Sequence, residues 1–104
     1  MKQYTTQKQF DRLIELGFPP PELYSNRYTI GELISFIPDS FEILDDDDEV
    51  RKYYLSINKT SAEYEFYDEY GSFVSNWDTC HIHESELIDS LFETCILLKE
   101  RKII

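Results

Sequence analysis

The residues whose types could do chemistry are concentrated in one short segment, Cys80-His81-Ile82-His83-Glu84, with Cys95 downstream. Thiolates and imidazoles are zinc ligands, and the first cysteine and the second histidine of the segment have two residues between them, as in many zinc sites. A second closely spaced pair does not follow, and Leu87 stands where a zinc-protease helix needs its second histidine. The segment therefore supplies weak candidate metal ligands (Cys80, His81, His83 and Glu84), and the alternative is a strand-to-helix connection with incidental histidines.

The other patterns for catalysis and ligand binding are incomplete. Cys80 and His81 are sequence neighbours, and neighbouring side chains on extended backbone point to opposite faces. The sequence has no Gly-x-Ser-x-Gly elbow, and its three glycines are scattered, whereas a phosphate-binding loop clusters them. The acidic run Asp45–Glu49 lacks the glycine and the ligand spacing of an EF-hand, so a charged hairpin tip is expected there. We predict a protein that is not an enzyme, with no catalytic residue and no cofactor.

The charge distribution constrains the class of partner. The chain has 104 residues and a formal net charge of −11. Residues 39–93 contain 16 acids against Arg51, Lys52 and Lys59, a net charge of −13. Such a surface repels phosphate, so direct binding of nucleic acid is not expected. The acidic region either keeps the protein soluble or mimics DNA, and a mimic needs its carboxylates in ordered rows on one face.

No segment has the features of a membrane span or a secretory signal. The longest apolar run toward the C-terminus is Cys95-Ile96-Leu97-Leu98, far short of the roughly 20 residues that a spanning helix needs. The N-terminal residues do not develop the apolar region of a signal peptide. Two cysteines, Cys80 and Cys95, do not make a disulfide framework. We therefore expect a cytoplasmic protein without membrane association.

Three segments have the 3.6-residue period of amphipathic helices. The first covers residues 6–16, begins with the capping-box pair Thr6 and Gln9, and ends at Gly17, which suits the left-handed position after a helix. The second covers residues 30–37 and begins with the capping-box pair Thr29 and Glu32. The third covers residues 85–100 and carries acids early and bases late, which complements the helix dipole.

Between the second and third helices the period changes to two, which is typical of half-buried strands. Short turns connect these strands, so an antiparallel meander is expected. We predict an α+β fold, with two N-terminal helices, an antiparallel three- to four-stranded meander sheet, and a C-terminal helix packed on one sheet face, in a single domain of residues 1–104. The predicted core residues are Phe10, Leu13, Ile14, Leu33, Ile37, Leu55, Ile57, Phe66, Leu91 and Leu98.

The alternation along the strands predicts a second surface. Tyr54 and Tyr67 fall on the sheet face opposite the predicted core, and Glu63 and Glu65 are spaced to share one strand face. An exposed face rich in tyrosine suits protein binding or self-association as a homodimer. The alternative is that these tyrosines are good strand formers that lie half-exposed without a role.

Three blocks of the sequence carry a resemblance, and they lie at residues 6–17, at residues 28–34 before Pro38, and at residues 86–92. On these blocks the sequence resembles a group of small uncharacterised proteins of gut Bacteroidetes and their phages or mobile elements. The chain departs from the group at the Asp45–Glu49 run and in residues 77–84. The resemblance implies a bacterial or phage accessory protein, and it implies no functional residue.

These patterns favour a non-enzymatic protein-interaction or regulatory accessory protein that binds an unidentified protein partner. Two alternatives stay open. One is a metal-binding module or metal-dependent hydrolase that uses the segment around Cys80. The other is an acidic DNA mimic that inhibits a host nucleic-acid-binding protein.

Overall fold

The computed structural model describes residues 3–21, 26–44, 47–77 and 86–104. The elements are α1 (Gln7–Glu15), α2 (Ile30–Phe36), β1 (Ser40–Leu44), β2 (Val50–Ile57), β3 (Ala62–Tyr67), β4 (Phe73–Asn76) and α3 (Leu87–Glu100). Two helices precede a four-stranded antiparallel sheet, and the C-terminal helix packs against it. The predicted α+β fold class is therefore confirmed.

The first two helices begin at the predicted capping boxes. The Thr6 hydroxyl accepts a hydrogen bond from the Gln9 backbone N–H at 3.2 Å, and the Gln9 side chain accepts one from the Thr6 N–H at 2.9 Å. Thr29 and Glu32 repeat the arrangement at the start of α2. These bonds satisfy backbone donors that a helix N-terminus leaves unpaired.

Helix α1 ends through the backbone bonds of a Schellman motif. Gly17 has φ of 92°, and its N–H donates to the carbonyl of Ile14 at 3.0 Å. The N–H of Phe18 donates to the carbonyl of Leu13 at 3.1 Å, and the Phe18 ring is buried. A glycine adopts this left-handed conformation without the strain of a side chain, so the chain reverses here and returns Phe18 to the core.

The strands follow one another in the order β1-β2-β3-β4, as a meander requires. The turn between β2 and β3 is held by Asn58, whose side-chain oxygen accepts from the N–H groups of Thr60 and Ser61. Asp68 serves the turn between β3 and β4 in the same way, by accepting from Tyr70 and Ser72. Such local bonds favour turns over continued strand.

The core lies between the helices and one face of the sheet, which we call the inner face. Phe41, Tyr64 and Trp77 form an aromatic cluster there, with ring centroids of Phe41 at 4.6 Å from Tyr64 and 5.1 Å from Trp77. Helix α3 closes the core with a broad buried surface (Leu87, Ile88, Leu91, Phe92, Cys95 and Leu98). The ring contacts of Phe41 with Tyr64 and Trp77 are edge to face, and contacts of this kind add stability beyond the burial of area.

Two predicted core residues are exposed. Ile14 is 40% exposed, because α1 turns only a narrow stripe around Leu13 toward the core. Ile57 is 38% exposed, because it is the last residue of β2 and pairs with Ala62 at the sheet end next to the turn. The other predicted core residues are buried (Leu13, Leu33, Ile37, Leu91 and Leu98) or packed against the buried cluster (Phe10, Leu55 and Phe66).

Candidate interaction surface

The sheet face turned away from the core is the outer face. Its members alternate with the buried residues along each strand and are fixed by the pairing register. They are Ser40, Glu42, Leu44, Val50, Lys52, Tyr54, Ser56, Glu63, Glu65, Tyr67, Phe73 and Asn76. The sequence-predicted interaction residues Tyr54, Tyr67, Glu63 and Glu65 all belong to it, as the alternation predicted.

Tyr54 lies near the middle of the outer face. It pairs with Ser40 on one side and Glu65 on the other. The ring is 45% exposed, and the Lys52 ammonium lies 5.4 Å from the ring centroid. This contact places a cation over a ring that stays partly exposed on the surface.

Tyr67 and Phe73 of the neighbouring strand form an aromatic pair on the outer face. The two residues are register partners, and their rings meet edge to face at 6.2 Å between centroids. The Tyr67 hydroxyl donates a hydrogen bond to the Glu65 carboxylate. This hydrogen bond raises the pKa of Tyr67, since the carboxylate stabilises the protonated phenol.

A β-bulge in the last strand pair shapes the edge of this surface. The register shifts between Phe66 and Tyr67, so Phe66 pairs with Ser75 whereas Tyr67 pairs with Phe73. Val74 lies between the two partners, and both Phe73 and Val74 are at least half-exposed. Sequence analysis missed these two residues, because strict alternation assigns consecutive residues to opposite faces and a bulge breaks that rule.

The acidic side chains lie on both sides of the sheet. Glu63 and Glu65 belong to the outer face. Asp89 and Glu93 belong to α3, which packs against the inner face. Among the described residues the carboxylates therefore do not form the single face of ordered rows that a DNA mimic needs.

The candidate metal ligands Cys80, His81, His83 and Glu84 lie outside the described residues. Within residues 3–21, 26–44, 47–77 and 86–104, no group of three or more His, Cys, Asp or Glu side chains could hold a metal ion. Metal binding by the segment around Cys80 thus stays a prediction.

Cys95 is a buried free thiol on the inner side of α3. Its Sγ donates a long hydrogen bond of 3.8 Å to the carbonyl of Leu33. Burial raises the pKa of the Cys95 thiol to about 12, because the thiolate is poorly solvated in the core. A protonated, enclosed thiol is a packing group and a poor nucleophile.

A groove of about 470 Å³ runs between α1 and α3 on the helical side. Phe92 lies in it, and charged residues of both signs line it (Lys8, Asp11, Arg12, Glu15 and Glu93). The Arg12 guanidinium lies 3.5 Å from Glu15 and 3.6 Å from Glu100. The lining has two cations, Lys8 and Arg12, and three carboxylates, so its charges nearly balance.

Comparisons with protein-family models, with curated proteins and with solved structures find no match to this chain. In the described part of the chain, no helix combines the length and apolarity needed to cross a membrane.

Proposed function

We propose that the protein is a non-enzymatic interaction or regulatory protein, an accessory protein of bacterial or phage origin, that binds another protein through its outer sheet face. The observation that carries the proposal is the exposure of large aromatic side chains on this face, with Tyr54 at 45%, Tyr67 at 38% and Phe73 at 55%. Aromatic residues are enriched at protein interfaces because they bury a large area at a low cost in side-chain entropy.

The polar groups of the outer face support the same conclusion. The Glu65 carboxylate accepts a hydrogen bond from the Tyr67 hydroxyl, and the Lys52 ammonium lies over the Tyr54 ring. These contacts restrict the side chains before a partner binds. Binding then costs less side-chain entropy, which favours affinity. A face that combines exposed rings with carboxylates is suited to recognition.

Photocrosslinking tests the proposal directly. The crosslinking residue p-benzoylphenylalanine is introduced in place of Tyr54, and extracts of the source organism are irradiated. Tyr4 is the matched control, since it is also 45% exposed and lies outside the sheet, paired with Thr29. We expect a defined adduct with a second protein from position 54 and none from position 4.

A double variant supplies the second measurement. Pull-down of the crosslinked protein by the tagged unmodified chain is compared with pull-down by Tyr54→Ser with Tyr67→Ser, which removes both rings. We expect the double variant to lose this protein with no change in fold, because both side chains are exposed. Identical products from positions 54 and 4, or capture that survives the double variant, would contradict the proposal. An adduct of the chain with itself alone would assign the face to a homodimer.

A further inference from the structure

Both acidic hairpin turns lie at one end of the sheet. In a four-stranded antiparallel meander, the first and third connections leave from the same end, and the second leaves from the other. The turn between β1 and β2 and the turn between β3 and β4 are therefore neighbours. We call this region the hairpin end, and it comprises Leu44, Asp47–Val50, Asp68–Tyr70, Phe73 and Val74.

The exposed apolar side chains are concentrated at the hairpin end. Ten large apolar side chains of the described residues are exposed, and five belong to this region: Leu44, Val50, Tyr70, Phe73 and Val74. Leu44 and Val50 are register partners on the outer face. Phe73 also belongs to the outer face, so the hairpin end continues the surface proposed above to bind a protein. Grouped exposure of this kind marks an interaction site, whereas single exposed apolar residues are ordinary.

The charge around these side chains is negative. Five described acids belong to the turns (Asp47, Asp48, Glu49, Asp68 and Glu69), against two bases at the start of β2, Arg51 and Lys52. Both bases lie over rings of the sheet, with Arg51 at 5.2 Å from the Phe66 centroid and Lys52 over Tyr54. Among the described residues, the rim of these apolar side chains thus has five acids and two bases, a net charge of −3.

This combination selects the chemistry of the occupant. Two hairpin ends facing each other would bring five described carboxylates of one copy against five of the next, which opposes self-association. Nucleic acid and anionic lipid are repelled for the same reason. A segment with apolar side chains flanked by lysine or arginine satisfies both parts of the surface at once.

We propose that the hairpin end binds a basic amphipathic segment of a partner protein. Apolar side chains of that segment contact Val50, Phe73 and Val74, and its cations face the turn carboxylates. This inference rests on the proposed function, since it names the chemistry of the partner that the outer face and its continuation would bind.

A peptide titration followed by NMR tests this inference. The probe is a synthetic helical peptide of leucine and lysine with all leucines on one face. Two control peptides replace every leucine by serine or every lysine by glutamate. We expect the leucine–lysine peptide to shift the amide signals of Val50, Phe73 and Val74. The serine peptide should bind at least about tenfold more weakly, which corresponds to about 1.4 kcal/mol, and the glutamate peptide should not bind.

Protein variants separate apolar from ionic contributions. Val50→Ser with Val74→Ser should weaken binding of the leucine–lysine peptide about tenfold or more. Glu69→Lys should weaken it and reduce its dependence on salt. The matched control is Ile14→Ser, which changes an exposed apolar residue on α1 and should leave binding unchanged.

Three outcomes would overturn the inference. They are equal binding of the leucine and serine peptides, shifts centred on the groove between α1 and α3, and a dimer in sedimentation experiments that Val50→Ser with Val74→Ser abolishes. If position 54 crosslinks a partner while the peptide does not bind the hairpin end, the proposed function stands and this inference fails. If position 54 crosslinks no protein, the proposed function fails, whatever the peptide does.

Discussion

The hydroxyl of Tyr64 donates a hydrogen bond of 2.6 Å to the backbone carbonyl of Pro38. Tyr64 lies on β3 with its side chain fully buried, whereas Pro38 lies between α2 and β1. One phenol therefore joins the third strand to the connection that leads into the first strand. The bond also satisfies the only polar side-chain atom of Tyr64, whose ring packs against Phe41 and Trp77.

Removing this hydroxyl should destabilise the protein without disturbing its packing. We expect Tyr64→Phe to lower the free energy of unfolding by about 1–2 kcal/mol, because the Pro38 carbonyl loses its partner in a partly buried site. Urea denaturation measures the change. Tyr54→Phe is the control and should stay within about 0.5 kcal/mol, since Tyr54 is exposed. Equal effects of the two substitutions would contradict the structural role of the bond.

Leu91 and Ile14 were both predicted to be core residues, but only Leu91 is buried. Leu91 is fully buried on α3, and Leu91→Ala should cost roughly 2–5 kcal/mol of unfolding free energy through lost contacts and a cavity. Ile14→Ala should cost less than about 1 kcal/mol, because 40% of the Ile14 surface is exposed. Both values come from urea melts. A loss below about half a kcal/mol at Leu91 would mean that α3 is not docked.

The Cys95 thiol should be protected from alkylation in the folded protein. In a Cys80→Ser background, Cys95 is the sole thiol of the chain. Its raised pKa and its burial both suppress the reactive thiolate, so we expect iodoacetamide to react more than about 100-fold faster in denaturing urea than in native buffer. Mass spectrometry over time measures both rates. Rapid native modification would show that the core around Leu33 opens readily.

Alkaline pH should weaken the fold. Burial raises the pKa of Cys95 from 9.0 to about 12, and it also raises the pKa of Tyr28 and of Tyr64 above their ordinary value of 10.0. The folded state holds these protons more tightly than the unfolded state, so the unfolding free energy falls as pH rises above about 9. Urea melts at increasing pH measure the slope. Cys95→Ala should make the slope shallower, and a free energy that is constant across this range would contradict the assignment.

The helix ends and the strand faces were predictable because each depends on local chemistry. Thr6 and Gln9 set the start of α1, and Gly17 sets its end, through hydrogen bonds to residues within one turn. Tyr54 and Tyr67 fall on the outer face because successive strand residues point to opposite sides. Such rules need no knowledge of the rest of the chain.

Other features depend on contacts between distant parts of the chain. Tyr28 is fully buried although no periodic segment points to it; its backbone N–H donates to Thr5, and its hydroxyl donates to the Pro19 carbonyl at 2.6 Å. The bulge that exposes Val74 is a register shift between two strands, and no pattern within β4 alone encodes it.

The order of the strands has a consequence for the kinetics of folding. Each strand pairs only with its neighbours along the chain, so the sheet closes through short loops with a small entropic cost. By contrast, the Gln9 amide reaches the Asp89 carboxylate across 80 positions of the sequence. We expect the hairpins to form before the terminal helices meet, as proteins with local contacts fold fast. Asn58→Ala in the β2–β3 turn should then slow folding, whereas Gln9→Ala should chiefly speed unfolding.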